Sequence, residues 1–167
     1  MNGQTSLTGP FAVTFMASIL ILIMFFGLVV IWIIDGRTRK EQALHSFLAA
    51  SAAWVITQII KDLFPTLRPY QLDGTQPLTL TLLHSDGAFP SSHSAVAFAL
   101  AITVWLHSKR LGWVFILMAL GVAGGRVLAN VHYVTDVLVG SIIGVFVAFA
   151  VDKIHVFNLL SKTVIKK

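Results

Sequence analysis

The 167-residue chain contains no cysteine, which excludes disulfides, thiol nucleophiles and cysteine-ligated metals. Charge is scarce as well: Asp, Glu, Lys and Arg make up 11% of residues against 56% hydrophobic ones, and the mean hydropathy is +0.84. These proportions exclude an ordinary soluble domain and read as an integral membrane protein. The formal charge of +5 does not point to nucleic acid, because the basic residues gather in short segments beside apolar runs, where membrane proteins carry topology signals. The opening MNGQTSLTGP is uncharged. It lacks the basic leader of a signal peptide, so the first apolar run is expected to remain as a span. No second domain is visible, and residues 1–167 read as one membrane domain.

Five apolar runs follow. Phe11 to Ile34 has 24 uncharged residues, about 36 Å as a helix. Gln42 to Ile60 has 19, with His45 and Gln58 as its main polar interruptions. From Lys61 to about Pro90 the chain is polar and rich in turn formers, as expected of a long connection with short helices. The third run starts near Ser91, with Ser91 or Ser92 placed to cap it, and ends at Lys109 and Arg110. The fourth is expected from Leu111 to about Asn130. Only 15 residues separate Asp136 from Asp152, which is short for a span, so the fifth helix is expected to start near Val131 or His132. That start places His132 and Asp136 in its first turns and Arg126 in the last turns of the fourth. The predicted fold is an all-α polytopic bundle of about five transmembrane helices. The second helix (Ser46, Ala49, Ala50, Ser51, Ala52, Ala53) and the fourth (Gly121, Gly124, Gly125) carry the small residues suited to close helix contact.

Five spans put the termini on opposite sides. With the N-terminus outside, nine of the twelve basic residues fall in cytoplasmic segments: Arg37, Arg39, Lys40, Lys109, Arg110, Lys153, Lys162, Lys166 and Lys167. Short basic loops face the cytoplasm, which selects this orientation in a cell membrane. The exceptions, Lys61, Arg68 and Arg126, share the outer face with His93, His132 and Asp136. Topology-unfavourable cations that converge on one face are better explained as a site.

Lys61 and Arg68 flank the turn-like KDLFPTLRP, where Pro69 biases Arg68 away from helical geometry and leaves its guanidinium free to face the membrane surface. Such a pair suits either headgroup contact or a phosphate clamp. In FPSSH, the serine hydroxyls and free helix N-terminal amides form an anion site, with His93 beside it. His132 and Asp136, four apart, would share a helix face. The Asp can hold one imidazole nitrogen protonated and leave the other as nucleophile or base, and the pair is also compatible with a structural hydrogen bond or a proton pathway. Together these residues suit phosphoryl transfer to His132, with His93 protonating the leaving oxygen and then activating water, and with Lys61, Arg68 and Arg126 stabilising charge. No metal or other cofactor is needed. Asp62, Asp73 and Asp86 match no dedicated metal spacing. A small lipid transporter using the same charges is the non-enzymatic alternative, and it would spread its polar groups through opposed halves.

These residues resemble the type 2 phosphatidic acid phosphatase superfamily of membrane lipid phosphatases. Its first signature, Lys, six residues, Arg-Pro, is met by Lys61 to Pro69. The second, Pro-Ser-Gly-His, is met by Pro90 to His93 with Ser92 in place of Gly. The third, Ser-Arg, five residues, His, three residues, Asp, is met by Gly125 to Asp136 with Gly125 in place of Ser. The resemblance implies His132 as nucleophile, Asp136 as its partner, His93 as general acid, and Lys61, Arg68, Arg126, Ser91 and the Ser92 amide as phosphate ligands. It implies a lipid phosphate substrate, among undecaprenyl diphosphate, phosphatidylglycerol phosphate, phosphatidate and lipid A phosphates; the small size and compact loop favour undecaprenyl diphosphate, and a site at the outer membrane boundary suits a lipid with its phosphate at the surface. Members commonly have six helices, so a form lacking one N-terminal span is expected here.

Overall fold

The computed structural model describes residues 8–34, 37–80 and 87–153. Asp86 and the terminal Lys162, Lys166 and Lys167 lie outside the described residues. Every regular element among the described residues is helical. The first helical run, α1, joins α-helical Thr8–Thr14, a π-helical turn Phe15–Ile19 and α-helical Leu20–Ile33. There follow α2 (Arg37–Leu63), the short α3 (Pro69–Asp73), α4 (Ser92–His107), α5 (Lys109–Leu128) and α6 (Val134–Asp152).

Four of these, α1, α2, α5 and α6, are long and apolar enough to cross a membrane. The expected third span is the exception. Helix α4 has 16 residues, about 24 Å, against the roughly 30 Å of a hydrocarbon core. It is also the hub of the bundle, packed on α2, α5 and α6. Its small side chains, Ala95, Ala97, Ala99 and Ala101, are buried and let its neighbours come close. Ala49 and Ala53 of α2 meet Ala95 and Ala99 of α4, with Val147 and Val151 of α6 completing that layer. On the other side Met24, Leu28 and Ile31 of α1 pack with Leu100 and Val104 of α4 and Phe115 of α5. Large apolar side chains such as Phe26, Trp54, Trp113, Leu117 and Phe146 point outward, the arrangement expected of a bundle surrounded by lipid rather than water.

Boundaries also differ from the sequence reading. Helix α2 runs beyond its apolar stretch at both ends, because RTRKE and Lys61-Asp62-Leu63 continue the helical backbone. Helix α5 stops at Leu128 because Asn130 takes a left-handed backbone conformation, φ 59°, which Asn tolerates better than most residues. The turn therefore occupies the positions expected to open α6, and that helix starts only at Val134. His132 consequently precedes the helix rather than lying in its first turn.

Two glycine contacts fix how closely the helices cross. A Cβ at Gly140 of α6 would collide with the Ser91 carbonyl oxygen, and one at Gly144 with that of Ala95. In α5, a Cβ at Gly125 would lie 2.7 Å from backbone atoms of Met16 and Ala17, in the π-helical turn of α1, whereas one at Gly124 would meet nothing within 4 Å. The neighbouring glycines are thus separable by experiment. Gly125→Ser is expected to lower stability by about 1–3 kcal/mol through overpacking against backbone. Gly124→Ala should leave it unchanged or raise it by up to about 1 kcal/mol through helix propensity. Thermal unfolding of the two variants in detergent checks this.

Candidate active site

Helix ends bring the chemistry-bearing residues to one end of the bundle: Lys61 from the end of α2, Arg68 from the start of α3, Ser91 to His93 from the start of α4, Arg126 from the end of α5, and His132 and Asp136 around the start of α6. Lys61, Arg68, Ser91, Arg126, His132 and Asp136 are buried, and Ser92 and His93 are partly exposed. The charges of Lys61, Arg68 and Arg126 all act on both His93 and His132, so the three sequence segments form one electrostatic unit.

Arg68 has the extended backbone that Pro69 favours, φ −82° and ψ 152°. Its amide donates to Gln71 Oε1 at 2.7 Å, which starts α3. Its guanidinium does not face the membrane surface as the sequence suggested. It turns inward, donating to the Val131 carbonyl at 3.3 Å and the Gly87 carbonyl at 3.5 Å. Lys61 Nζ donates to that same Gly87 carbonyl. One peptide oxygen therefore gathers the two cations of KDLFPTLRP, and Gly87 allows it: a Cβ there would lie 2.9 Å from the Thr66 amide nitrogen.

Arg126 is held by α1 and the long connection. Its Nη1 donates to the Ala17 carbonyl at 3.1 Å and to Thr79 Oγ1 at 3.3 Å. Thr79 is in turn 2.9 Å from Ser18 Oγ, which accepts the Leu80 amide at 2.9 Å. Neither Ser18 nor Thr79 stood out in the sequence, because isolated hydroxyls in an apolar run and a polar loop carry no spacing signal. Asp73, weighed above as a metal ligand, is occupied with structure. Its carboxylate accepts the Thr75 amide and hydroxyl at 2.9 and 2.7 Å and Asn130 Nδ2 at 2.6 Å. These bonds, the Thr75 amide foremost, lower its pKa and clasp the connection onto the α5–α6 turn. Asp62 is exposed.

Ser91 is the residue before α4, but its side chain makes no capping bond. Its hydroxyl accepts from Ser94 Oγ at 3.1 Å and keeps its own proton to donate. The Ser91 amide donates to the Asp136 carbonyl at 3.0 Å, so the FPSSH segment and the start of α6 are joined directly. The Ser92 hydroxyl, where the family signature has Gly, donates to Gln58 Oε1 at 3.1 Å and lies 3.0 Å from Thr57 Oγ1. The extra side chain is thus tied to α2.

Asp136 Oδ2 accepts the Tyr133 amide at 2.9 Å and lies 3.5 Å from His132 Nδ1. The pairing expected from the spacing is present, although His132 sits in the turn. The contact is long for a hydrogen bond, so the carboxylate orients the ring through its field on the imidazole dipole. With Nδ1 turned to Asp136, Nε2 is the nitrogen left for chemistry. Burial lowers the His132 pKa from 6.5 to about 4; Asp136 pulls it upward, while the fields of Arg126, Arg68 and Lys61 press it further down. The ring is therefore neutral at pH 7 with a lone pair available. The signs make a test: in histidine-selective NMR titration, His132 should protonate well below 6.5. Arg126→Met, which removes a cation, should raise that midpoint, and Asp136→Asn should lower it.

Buried cations gathered at the helix ends of a membrane bundle, beside two histidines and an aspartate, suit the chemistry of a membrane phosphatase. The PAP2 superfamily model matches residues 42–159, and the chain belongs to that superfamily as a membrane lipid phosphatase. It is 28% identical over 153 residues to the bacitracin transport permease protein BcrC of Bacillus licheniformis, covering 90% of this chain and 73% of that one. To the undecaprenyl-diphosphatase BcrC of Bacillus subtilis it is 25% identical over 122 residues, covering 73% of this chain but only 62% of the relative. The crystal structure of Aquifex aeolicus LpxE superposes with a TM-score of 0.73 at 28% identity, covering 91% of this chain and 89% of that one.

Proposed function

We propose that residues 1–167 form one catalytic domain that hydrolyses a lipid diphosphate, undecaprenyl diphosphate, to the lipid monophosphate and phosphate, through a phosphohistidine on His132 and without a metal. The observation that carries this reading is the buried, neutral His132 held beside Asp136 within the field of three cations. In the first step the Nε2 lone pair attacks the terminal phosphorus, the bond to the bridging oxygen breaks, and His93 supplies a proton to the departing lipid phosphate. In the second, His93 takes a proton from water, the water oxygen attacks phosphorus, and the N–P bond breaks. Asp136 stabilises the charge that develops on the His132 ring. Lys61, Arg68 and Arg126 hold the non-bridging oxygens, assisted by the Ser91 hydroxyl and the Ser92 amide.

The lipid part of the substrate has a complementary surface. An apolar groove of about 790 Å³ lies among α4, α5 and α6, with Leu128 and Val134 at the end nearest His132 and Phe98, Leu138 and Phe146 further along. A prenyl or acyl chain in this groove would leave its phosphate at the cations. The undecaprenyl-diphosphatase name of the Bacillus subtilis relative favours the diphosphate. The distribution of basic residues supports an orientation with this end and the N-terminus outside a cell membrane, the C-terminus in the cytoplasm and α4 as a short fifth span.

Phosphate release in detergent from undecaprenyl diphosphate, phosphatidylglycerol phosphate and phosphatidate tests the proposal. Wild type is expected to prefer the diphosphate. His132→Ala should lose at least about 10⁴-fold in turnover, the scale of removing a nucleophile, and His93→Ala about 10²–10⁴-fold. EDTA should leave turnover at 25 °C unchanged. Normal turnover by His132→Ala contradicts the covalent route, and loss of turnover in EDTA contradicts metal-free catalysis.

A further inference from the structure

At the far end of the bundle three side chains from three helices converge: buried His45 of α2, His107 at the last position of α4 and Asp152 at the last position of α6. One donor atom from each lies within 4.8 Å of the other two. The His45 and His107 rings meet edge-on with centroids 5.5 Å apart, and His107 Nε2 is 3.9 Å from Asp152 Oδ1.

The tautomer of His107 follows from its other nitrogen. Nδ1 lies 3.0 Å from the Thr103 carbonyl oxygen, which can only accept, so Nδ1 carries the proton. In the neutral ring Nε2 then turns a lone pair toward a carboxylate oxygen. Two electron-rich atoms facing each other repel unless something positive lies between them. An imidazole whose outer N–H is fixed by a backbone carbonyl while its inner nitrogen faces a carboxylate and a second imidazole has the arrangement of a metal ligand with its supporting hydrogen bond.

We propose that His45, His107 and Asp152 bind a divalent transition ion of the zinc type, which clips α2, α4 and α6 together. Two imidazoles and one carboxylate are a donor set for zinc rather than for magnesium or calcium, which take mainly oxygen ligands. Donors around a tetrahedral zinc stand about 3.3 Å apart, so both the His107–Asp152 contact, now 3.9 Å, and the spacings to His45, within 4.8 Å, must shorten on binding. Asp152, partly exposed at a helix end, can make that adjustment. Lys109, Arg110 and Lys153 flank the cluster in sequence, so diffuse attraction would not hold a cation here and direct ligation must. Lys109 is itself turned onto the Trp105 ring, 3.0 Å from its centroid. His107 follows His93 by 14 residues on the same helix, about 21 Å. The ion therefore acts on the bundle and takes no part in hydrolysis.

The test uses the full chain in detergent, purified through a histidine-free tag, stripped with EDTA and titrated with zinc, reading bound metal by mass spectrometry and thermal unfolding by fluorescence. One equivalent of zinc per chain and a rise in Tm of several degrees are expected. His107→Ala and Asp152→Asn should each bind zinc more than tenfold more weakly and lose the rise, while His132→Ala keeps both. Substituted cobalt should show the visible bands of a tetrahedral site. Zinc binding and Tm shifts that are the same in wild type, His107→Ala and Asp152→Asn, or lost only in His132→Ala, would overturn the proposal. So would the absence of retained zinc in wild type, including the case where stability follows pH alone.

Discussion

The structure depends on how closely α4 and α6 approach each other. With glycine at positions 140 and 144, α6 lies against the carbonyls of Ser91 and Ala95, at distances where any Cβ would collide with oxygen. That approach brings the Ser91 amide onto the Asp136 carbonyl. The bond sets the register between FPSSH and the His132–Asp136 pair. Without it His93 and His132 would belong to separate helix ends. The short α4 makes the same point from the other side, because a hub of alanines lets α2, α5 and α6 surround it.

A second constraint is electrostatic. Lys61, Arg68 and Arg126 are taken out of water and set in one field, where their repulsion opposes a proton on His132. Burial of like charges costs free energy that the fold offsets by giving each a backbone acceptor: Gly87, Val131 and Ala17. A bound phosphate relieves that repulsion directly. In the proposed reaction these donors stand close together before substrate arrives, which would limit reorganisation as charge develops. The π-helical turn of α1 belongs to this scheme, since it supplies the Ala17 carbonyl to Arg126 while fitting over Gly125. The absence of a serine at position 125 is thus explained by packing, as the position has no room for its side chain.

Much of this was legible in the sequence, for identifiable reasons. Helix lengths point to one end of the bundle for Lys61, Arg68, His93, Arg126, His132 and Asp136, where the structure has them, and the i, i+4 spacing brings His132 to Asp136 even though a turn, rather than a helix, provides the contact. The turn was hidden because it depends on the left-handed Asn130, whose conformation is fixed by Asp73, Thr75 and Tyr70 from a distant segment. The inward course of Arg68 was missed for a similar reason: Pro69 reports the backbone of Arg68, and only the fold shows where Gly87 lies. Gly140 and Gly144 form a small-residue pair at helical spacing that could have been read as a packing face. Ser18, Thr79 and the His45–His107–Asp152 cluster could not, because their members are isolated in sequence.

The proposed hydrolysis requires one atom, Nε2 of His132, to become bonded to phosphorus. Rapid acid-free quench of the enzyme with labelled undecaprenyl diphosphate, followed by mass spectrometry of the peptide containing residue 132, observes that bond. A phosphoryl group on His132, stable to base, labile to acid and formed at least as fast as turnover, is expected. Steady turnover with no phosphoryl group on His132 at any time, and transfer of label directly to water, would contradict it.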